Sequence, residues 1–264
     1  TTGFESKCAP SIVPTGLEAG AFFSLEPVIQ HGWALVATDY VGLGTTGGHA
    51  YLVGEDAARS VLDAVRAARQ LRGIELDGRV VVWGHSQGGN SALWSGMRAP
   101  GYAPDLTILG IAALAPASDL RALITAGQSS MFGKIVSSYL VRAYGAAYPE
   151  IDAAAYVGAL ARPLVADIAG RCVGGWGTLF SVLEATLLLP AGIFARDPTA
   201  GPLGDRLRSN TPDGPIVPPV LIAQGQADDL VLPDIQHRFV AGRCAAGQRI
   251  DFRIYEGRDH LSLV

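Results

Sequence analysis

The run Val80-Val81-Val82-Trp83-Gly84-His85-Ser86-Gln87-Gly88-Gly89 constrains this chain more than any other. Three valines and a tryptophan are apolar and β-prone, and they predict a short buried strand. Gly-x-Ser-x-Gly follows without a linker, and Asn90 to Met97 then reads as helix. A strand that turns directly into a helix at a glycine-flanked serine forms an elbow, with Gly84 and Gly88 read as the residues that let it fold tightly. The elbow exposes a hydroxyl that is a weak nucleophile until a base reaches it. It also sets the Gln87 N–H at a helix start, where backbone donors favour a developing oxyanion. The rival reading is a glycine-rich turn with a spectator serine, and context must decide between the two.

That context is an acid and a histidine later in the chain, in the order Ser, Asp, His, each beyond a strand. The apolar run Val220 to Gln224 leads into Gly225-Gln226-Ala227-Asp228-Asp229. A carboxylate in such a loop can orient an imidazole and stabilise it once charged; Asp228 is the candidate, with Asp229 or a helix N-cap role as alternatives. Ile250 to Tyr255 reads as a further strand and leads into Gly257-Arg258-Asp259-His260, which makes His260 the candidate general base. His31, His49 and His237 read as surface or structural residues, and His85 as a neighbour of the nucleophile.

The remaining pattern is α/β. Residues 1–18 read as an irregular Gly/Pro-rich loop and Ala19 to Gln30 as a helix. Trp33 to Asp39 is expected to be a buried strand, and Glu55 to Leu71 an amphipathic helix with Val61, Leu62, Val65, Ala68 and Leu71 on its apolar face. Leu106 to Leu114 is a third apolar strand, and such runs without alternation suit a parallel sheet covered on both faces. From Ala117 to Leu207 the strands stop and helical, Gly/Ala-rich segments take over. The expected organisation is therefore a core of residues 1–116 and 208–264 with a helical insertion at 117–207.

Several classes are excluded. A chain of 264 residues with 49% hydrophobic and only 17% charged residues has ample material for a core. A net charge of −4 with no basic cluster argues against nucleic acid and against an anionic membrane surface. The three cysteines, Cys8, Cys172 and Cys244, lack metal-ligand spacing, so no metal or other cofactor is expected. Thr178 to Ala195 is the most membrane-like stretch, but Glu184 and Pro190 interrupt it and favour an apolar helix followed by a turn. Gly42-Leu43-Gly44-Thr45-Thr46-Gly47 formally matches a dinucleotide fingerprint, yet the next helix opens several residues too late, which leaves a plain glycine-rich loop. No leader of charged and apolar regions opens the sequence, so any signal peptide is already removed or the chain begins inside a longer protein.

Four stretches together resemble the secretory lipase family. They are Cys8-Ala9-Pro10-Ser11, Asp39-Tyr40-Val41-Gly42-Leu43-Gly44, Tyr51-Leu52-Val53-Gly54 with the Leu-Asp-Ala-Val-Arg-Ala helix after it, and the elbow itself. The Asp228 and His260 motifs follow at suitable places, so the resemblance spans nearly the whole chain. It implies a secreted α/β-hydrolase that cleaves carboxylic esters, triacylglycerols among them, with a helical cap inserted between the third and fourth strands. It carries the nucleophile to Ser86, the base to His260, its orienter to Asp228 and one oxyanion donor to Gln87. The second donor falls just before C-A-P-S, on Thr2 or its neighbour Thr1. The resemblance also implies a Cys8–Cys172 disulfide, with Cys244 left over for a partner beyond Val264.

An acyltransferase with the same triad and a non-catalytic binding module of this fold are the rival classes. Phosphonate labelling and product analysis in water plus alcohol separate them. Family members carry strands before the position where this chain starts, which implies an internal piece. The strand expected between Trp33–Asp39 and the elbow strand would then precede Thr1. The expectation is either a vacant slot between those two strands or a direct pairing that displaces Thr1 and Thr2.

Overall fold

A computed structural model describes residues 3–12, 25–173, 176–188 and 192–264. The chain divides into two compact units: residues 21–38, 54–119 and 211–264 form one, and residues 1–20, 39–53 and 120–210 the other.

The first unit is built on a parallel sheet in the order β1 (Arg79–His85), β2 (Thr107–Leu114), β3 (Val220–Gly225), β4 (Ile250–Tyr255). Parallel neighbours need crossovers, and helix α3 (Gln87–Tyr102) makes the one between β1 and β2. Its Ala92 and Leu93 pack with Val82, Ile111, Ala113 and Ile222 in the main core, which also takes in Val240 of α10 (Pro233–Ala245). On α3 lies α2 (Gly54–Ala68), whose Leu62 is buried against Ala99, Ala103 and Leu106. Gly54 is required at that junction, because a Cβ there would sit 2.0 Å from the Trp94 indole. Helix α2 ends before Leu71: hydrogen bonds from Gln70 and Leu71 to residues three back tighten the last turn, and Leu71 is left exposed.

Two expectations fail here. Trp33 to Asp39 forms no strand: it joins no ladder of the described sheet, and Trp33 is 57% exposed. An apolar run becomes a strand only when a ladder takes up its N–H and C=O groups; the direct pairing of this stretch with β1 is not found, since β1 pairs with β2 alone among the described residues. Among the described residues β1 is an edge strand, with β2 as its partner. The sheet is also less evenly covered than the unbroken apolar runs predicted. Leu109 is squeezed out at a register shift between the pairs Val80–Ile108 and Val81–Gly110, and it and Val81 are about half exposed. The helix expected over Ala19 to Gln30 is described as α1, Leu25–Gln30; its earlier residues lie outside the described set.

The second unit is helical: α4 (Leu120–Gly127), α5 (Met131–Ala147), α6 (Ala153–Tyr156), α7 (Arg162–Ala169), α8 (Trp176–Leu187) and α9 (Gly201–Ser209). Ser130 caps α5 through the Gly133 N–H, and Asp152 caps α6 through the N–H groups of Ala154 and Ala155. The fully buried Tyr144 of α5 donates its hydroxyl to the Leu52 carbonyl at 3.0 Å, and Tyr139 donates to Arg171 O at 3.0 Å.

A 3-10 turn over Ser6–Cys8 carries Cys8 to Cys172, and the two form a disulfide as the resemblance implies. Gly3 lies so close to it that a Cβ would come within 2.8 Å of Cys8 Sγ. Asp39 holds the same loop by accepting from the N–H and hydroxyl of Ser11 at 2.9 and 2.5 Å. Cys244 is exposed and free.

Helix α8 is arranged against expectation. Apolar side chains favour burial, yet Ser181 and Ala185 are the residues turned inward, while Leu179, Phe180, Leu183 and Leu187 are 48 to 69% exposed. Among the described residues no helix is long and apolar enough to cross a membrane.

The disulfide closes a separation of 164 residues, so its loss is expected to destabilise by up to about 5 kcal/mol in the chain-entropy account. Denaturant unfolding of the Cys8→Ser, Cys172→Ser double variant checks this. Non-reducing peptide mapping should join the Cys8 and Cys172 peptides; a Cys172–Cys244 peptide would refute the pairing.

Candidate active site

Ser86, Asp228 and His260 all follow the carboxyl ends of strands in one parallel sheet, namely β1, β3 and β4. In open α/β sheets the strand ends and the loops beyond them converge at that edge, where binding sites form. Ser86 has φ 56° and ψ −114°, a conformation that L-residues seldom adopt. The backbone holds it there. Ser86 N–H donates to Leu114 O of β2 at 2.8 Å, and Ser86 O accepts from Asn90 N and Ala117 N, each at 3.1 Å. Asn90, fully buried, steadies the second of these by donating its side-chain amide to Ala117 O at 2.7 Å.

The motif glycines are not equivalent. A Cβ on Gly84 would lie 2.2 Å from Gly88 O, and one on Gly89 would lie 2.9 Å from Pro116 Cβ. A Cβ on Gly88 would meet nothing within 4 Å. Tightness therefore rests on Gly84 and Gly89, not on Gly84 and Gly88 as the motif alone predicted.

Asp228 and not Asp229 is the acid that meets the histidine. Asp228 is buried and Asp229 exposed, and His260 Nδ1 lies 2.9 Å from Asp228 Oδ2. Asp228 Oδ1 accepts from the N–H groups of Leu230 and Val231 at 3.0 and 2.8 Å. Burial works to raise this carboxyl, but the hydrogen bond and charge of His260 and the two N–H groups outweigh it and hold it below the ordinary carboxylate value. Asp228 is thus an anion, and a carboxylate can only accept, so Nδ1 of His260 carries the proton. That leaves Nε2 as the nitrogen able to act as a base.

Ser86 Oγ and His260 Nε2 share no hydrogen bond among the described residues. Catalytic hydrogen bonds of this kind are often long before substrate binds. The two residues are linked instead through His85: its Nε2 lies 2.7 Å from the main-chain O of His260, and the two rings meet tilted by 46° with 4.5 Å between centroids. A carbonyl can only accept, so His85 carries its proton on Nε2. Burial, then the nearby positive end of His260, lower His85 to about 4, and it stays neutral at ordinary pH.

Gln87 is buried at the first position of α3, where helix N–H groups point out along the axis. Thr1 and Thr2, expected to supply the second donor, lie outside the described residues. His31, His49 and His237 bond or stack elsewhere. The glycine-rich loop is a turn bonded through Gly44 N–H to Ser6 O: Gly42, Gly44 and Gly47 have positive φ, and no helix opens between the loop and Gly54. Among the described residues no three His, Cys, Asp or Glu side chains are grouped to hold a metal ion.

Two polar residues at the site, one part-buried and one fully buried, were not anticipated. One is His85, read only as a neighbour of the serine. The other is Gln224, fully buried on β3, whose side-chain nitrogen lies 3.0 Å from Asp228 Oδ2. The available signal was a lone amide at the end of the otherwise apolar run Val220-Leu221-Ile222-Ala223.

A sequence model of secretory lipases matches residues 10–186. The chain belongs to the secretory lipase family. Lipase 5 of Candida albicans is 28% identical over 148 residues, covering 52% of this chain and 31% of its own length. Lipase 1 of the same yeast is 27% identical over 186 residues, covering 64% of this chain and 38% of its own. The chain thus spans about a third of these curated relatives. The solved structure of Candida antarctica lipase A superposes with a TM-score of 0.71 at 20% identity, over 88% of this chain and 55% of that one. The fold of this family member is accordingly the α/β-hydrolase fold, with a parallel sheet flanked by helices.

Gly84→Ala is expected to destabilise by at least ~2 kcal/mol, because the helix backbone that a Cβ would strike cannot move aside. Gly88→Ala, a helical position with open space, should be neutral or up to about 1 kcal/mol stabilising. Urea unfolding of the two variants checks this, and equal losses would overturn the distinction.

Proposed function

We propose that this secretory lipase family member is a serine hydrolase of carboxylic esters. The observation that carries the reading is the Asp228–His260 hydrogen bond, held beside a strained Ser86 at one edge of a parallel sheet. In the proposed reaction His260 Nε2 takes the Ser86 proton as Oγ attacks the ester carbonyl. The Gln87 N–H receives the oxyanion, and the tetrahedral adduct expels the alcohol, which leaves with the proton from His260. Water then repeats the cycle on the acyl-serine and releases the acid. Asp228 remains an anion throughout, orienting the imidazole and stabilising its charged form. An acyltransferase would differ only in accepting an alcohol in place of water.

Ser86→Ala is expected to lower turnover of p-nitrophenyl esters by about 10^4-fold or more. An organophosphonate should label Ser86 in the native protein and not in the variant. Parental turnover in Ser86→Ala would sink the assignment.

We assign residues 117–207 as a cap that meets lipid. The support is the stripe Leu179, Phe180, Leu183 and Leu187 on one face of α8, since contiguous exposed apolar side chains on a helix suit a lipid or partner surface. The disulfide and the family together support an extracellular setting, where such a bond persists. Turnover should be faster on emulsified than on monomeric ester. Phe180→Ser with Leu183→Ser should remove that gain and leave the rate on monomeric ester within about 2-fold. A parental rate that ignores the interface would refute the lipid role.

A further inference from the structure

The geometry points to Gln224 as a positioning residue that fixes the Asp228 carboxylate for His260. This inference rests on the hydrolase reading for its effect on turnover, but not for its geometry. Gln224 is fully buried on β3, four residues before Asp228. Its Nε2 lies 3.0 Å from Asp228 Oδ2, 3.0 Å from Val231 O and 3.1 Å from Gly225 O. All three neighbours are acceptors. The amide must therefore present its NH2 group to them, because the flipped orientation would set an oxygen among three oxygens. Two N–H bonds are shared among three acceptors, one of them an anion, and bonds to a charged acceptor are the stronger.

The consequence falls on one atom. Asp228 Oδ2 receives both His260 Nδ1–H and the Gln224 amide, while Oδ1 receives two backbone N–H groups. Every face of the carboxylate is taken, so neither its plane nor its distance to the imidazole can drift. Gln224 also draws charge from the oxygen that faces His260. Without that donor, Oδ2 would hold the charged imidazolium more tightly. The neutral base would then appear only at higher pH, and the acid limb of the kcat/KM profile would move upward.

Other ionisable groups around His260 do not confuse this sign. His85 is held at about 4, below the window, and Asp259 is kept ionised by its bonds from Ser262 and Leu261.

The test begins with the unaltered protein. In 1H–15N spectra from pH 5 to 9, a side-chain NH2 resonance of Gln224 should shift with the same midpoint as the Cε1–H of His260. An amide that merely fills space against the Gly225 and Val231 carbonyls would stay flat, and a flat response would overturn the inference. Gln224→Met, similar in volume and without a donor, should lower kcat/KM by about 5- to 50-fold and move its acid limb up by about half a unit or more. A Met variant with an unmoved acid limb and an unmoved His260 midpoint would also overturn it, even with a lowered Tm. The two readings fail separately: a protein that turns over no ester but keeps the coupled titration refutes the hydrolase and not the positioning role.

Discussion

The structure turns on one peptide unit held where it would not rest by itself. Ser86, a residue with a Cβ, lies at φ 56°, a region that costs on the order of 1–2 kcal/mol for an L-residue. Three main-chain hydrogen bonds hold it there: one to the end of β2, one from the β2 exit loop and one from the first turn of α3. Two of these partners, Leu114 and Ala117, are in place only because β1 and β2 lie side by side and parallel, so the strain is supported by the sheet order as well as by the motif's own helix. The same crowding explains the glycines. The chain folds back so closely that Gly84 faces the backbone of Gly88, and Gly89 faces Pro116.

The acid is held by a different means. Asp228 has no strained backbone to fix it; it has donors. Burial opposes its charge, and a carboxylate sealed from water without partners would take up a proton. Here the N–H groups of Leu230 and Val231, the Gln224 amide and His260 between them surround both oxygens. The loop after β3 is shaped to supply two of these from its own main chain. Gly225 lets the two loops meet, because a Cβ there would lie 2.3 Å from Arg258 O in the segment that carries His260. The acid and histidine are thus fitted by close packing before any electrostatic effect is counted.

Those devices differ in how far they can be read from residues alone. Val80 to Gly89 announces strand, elbow and helix because the signal is local, and the same holds for Val220 to Gln224 and Ile250 to Tyr255. Trp33 to Asp39 carries an equally apolar signal and forms no strand, because a ladder is a property of two segments and a one-segment reading cannot see the second. Helix α8 misleads for a related reason: its composition says apolar, but which face turns inward is decided by neighbours that accept Ser181 and Ala185. The choice of Asp228 over Asp229 stays open in sequence, since adjacent carboxylates differ only in which way the loop turns them. The site contacts of Gln224 and His85 are hidden for a stronger reason, even though a lone amide ending the apolar run Val220 to Ala223 marks Gln224 as unusual. Their partners are one carboxylate oxygen and several main-chain carbonyl oxygens, and no motif records those.

His85 shows why the residue before the serine is suited to be an imidazole that stays neutral. Its ring lies tilted against that of His260, whose proposed role requires it to become charged, so a second charge at 4.5 Å would oppose that step. Burial prevents the conflict by lowering His85 to about 4. Its protonated Nε2 meanwhile remains bonded to the His260 carbonyl at 2.7 Å. A lysine or arginine there would keep a donor but bring a permanent charge, and a phenylalanine would keep the ring contact but lose the donor. His260, the proposed base, is therefore held at two points: its carbonyl by a neutral ring on β1, and its Nδ1 by a carboxylate beyond β3. Only Nε2 is left to exchange a proton, and it belongs to the residue whose main chain is bonded to the neighbour of Ser86.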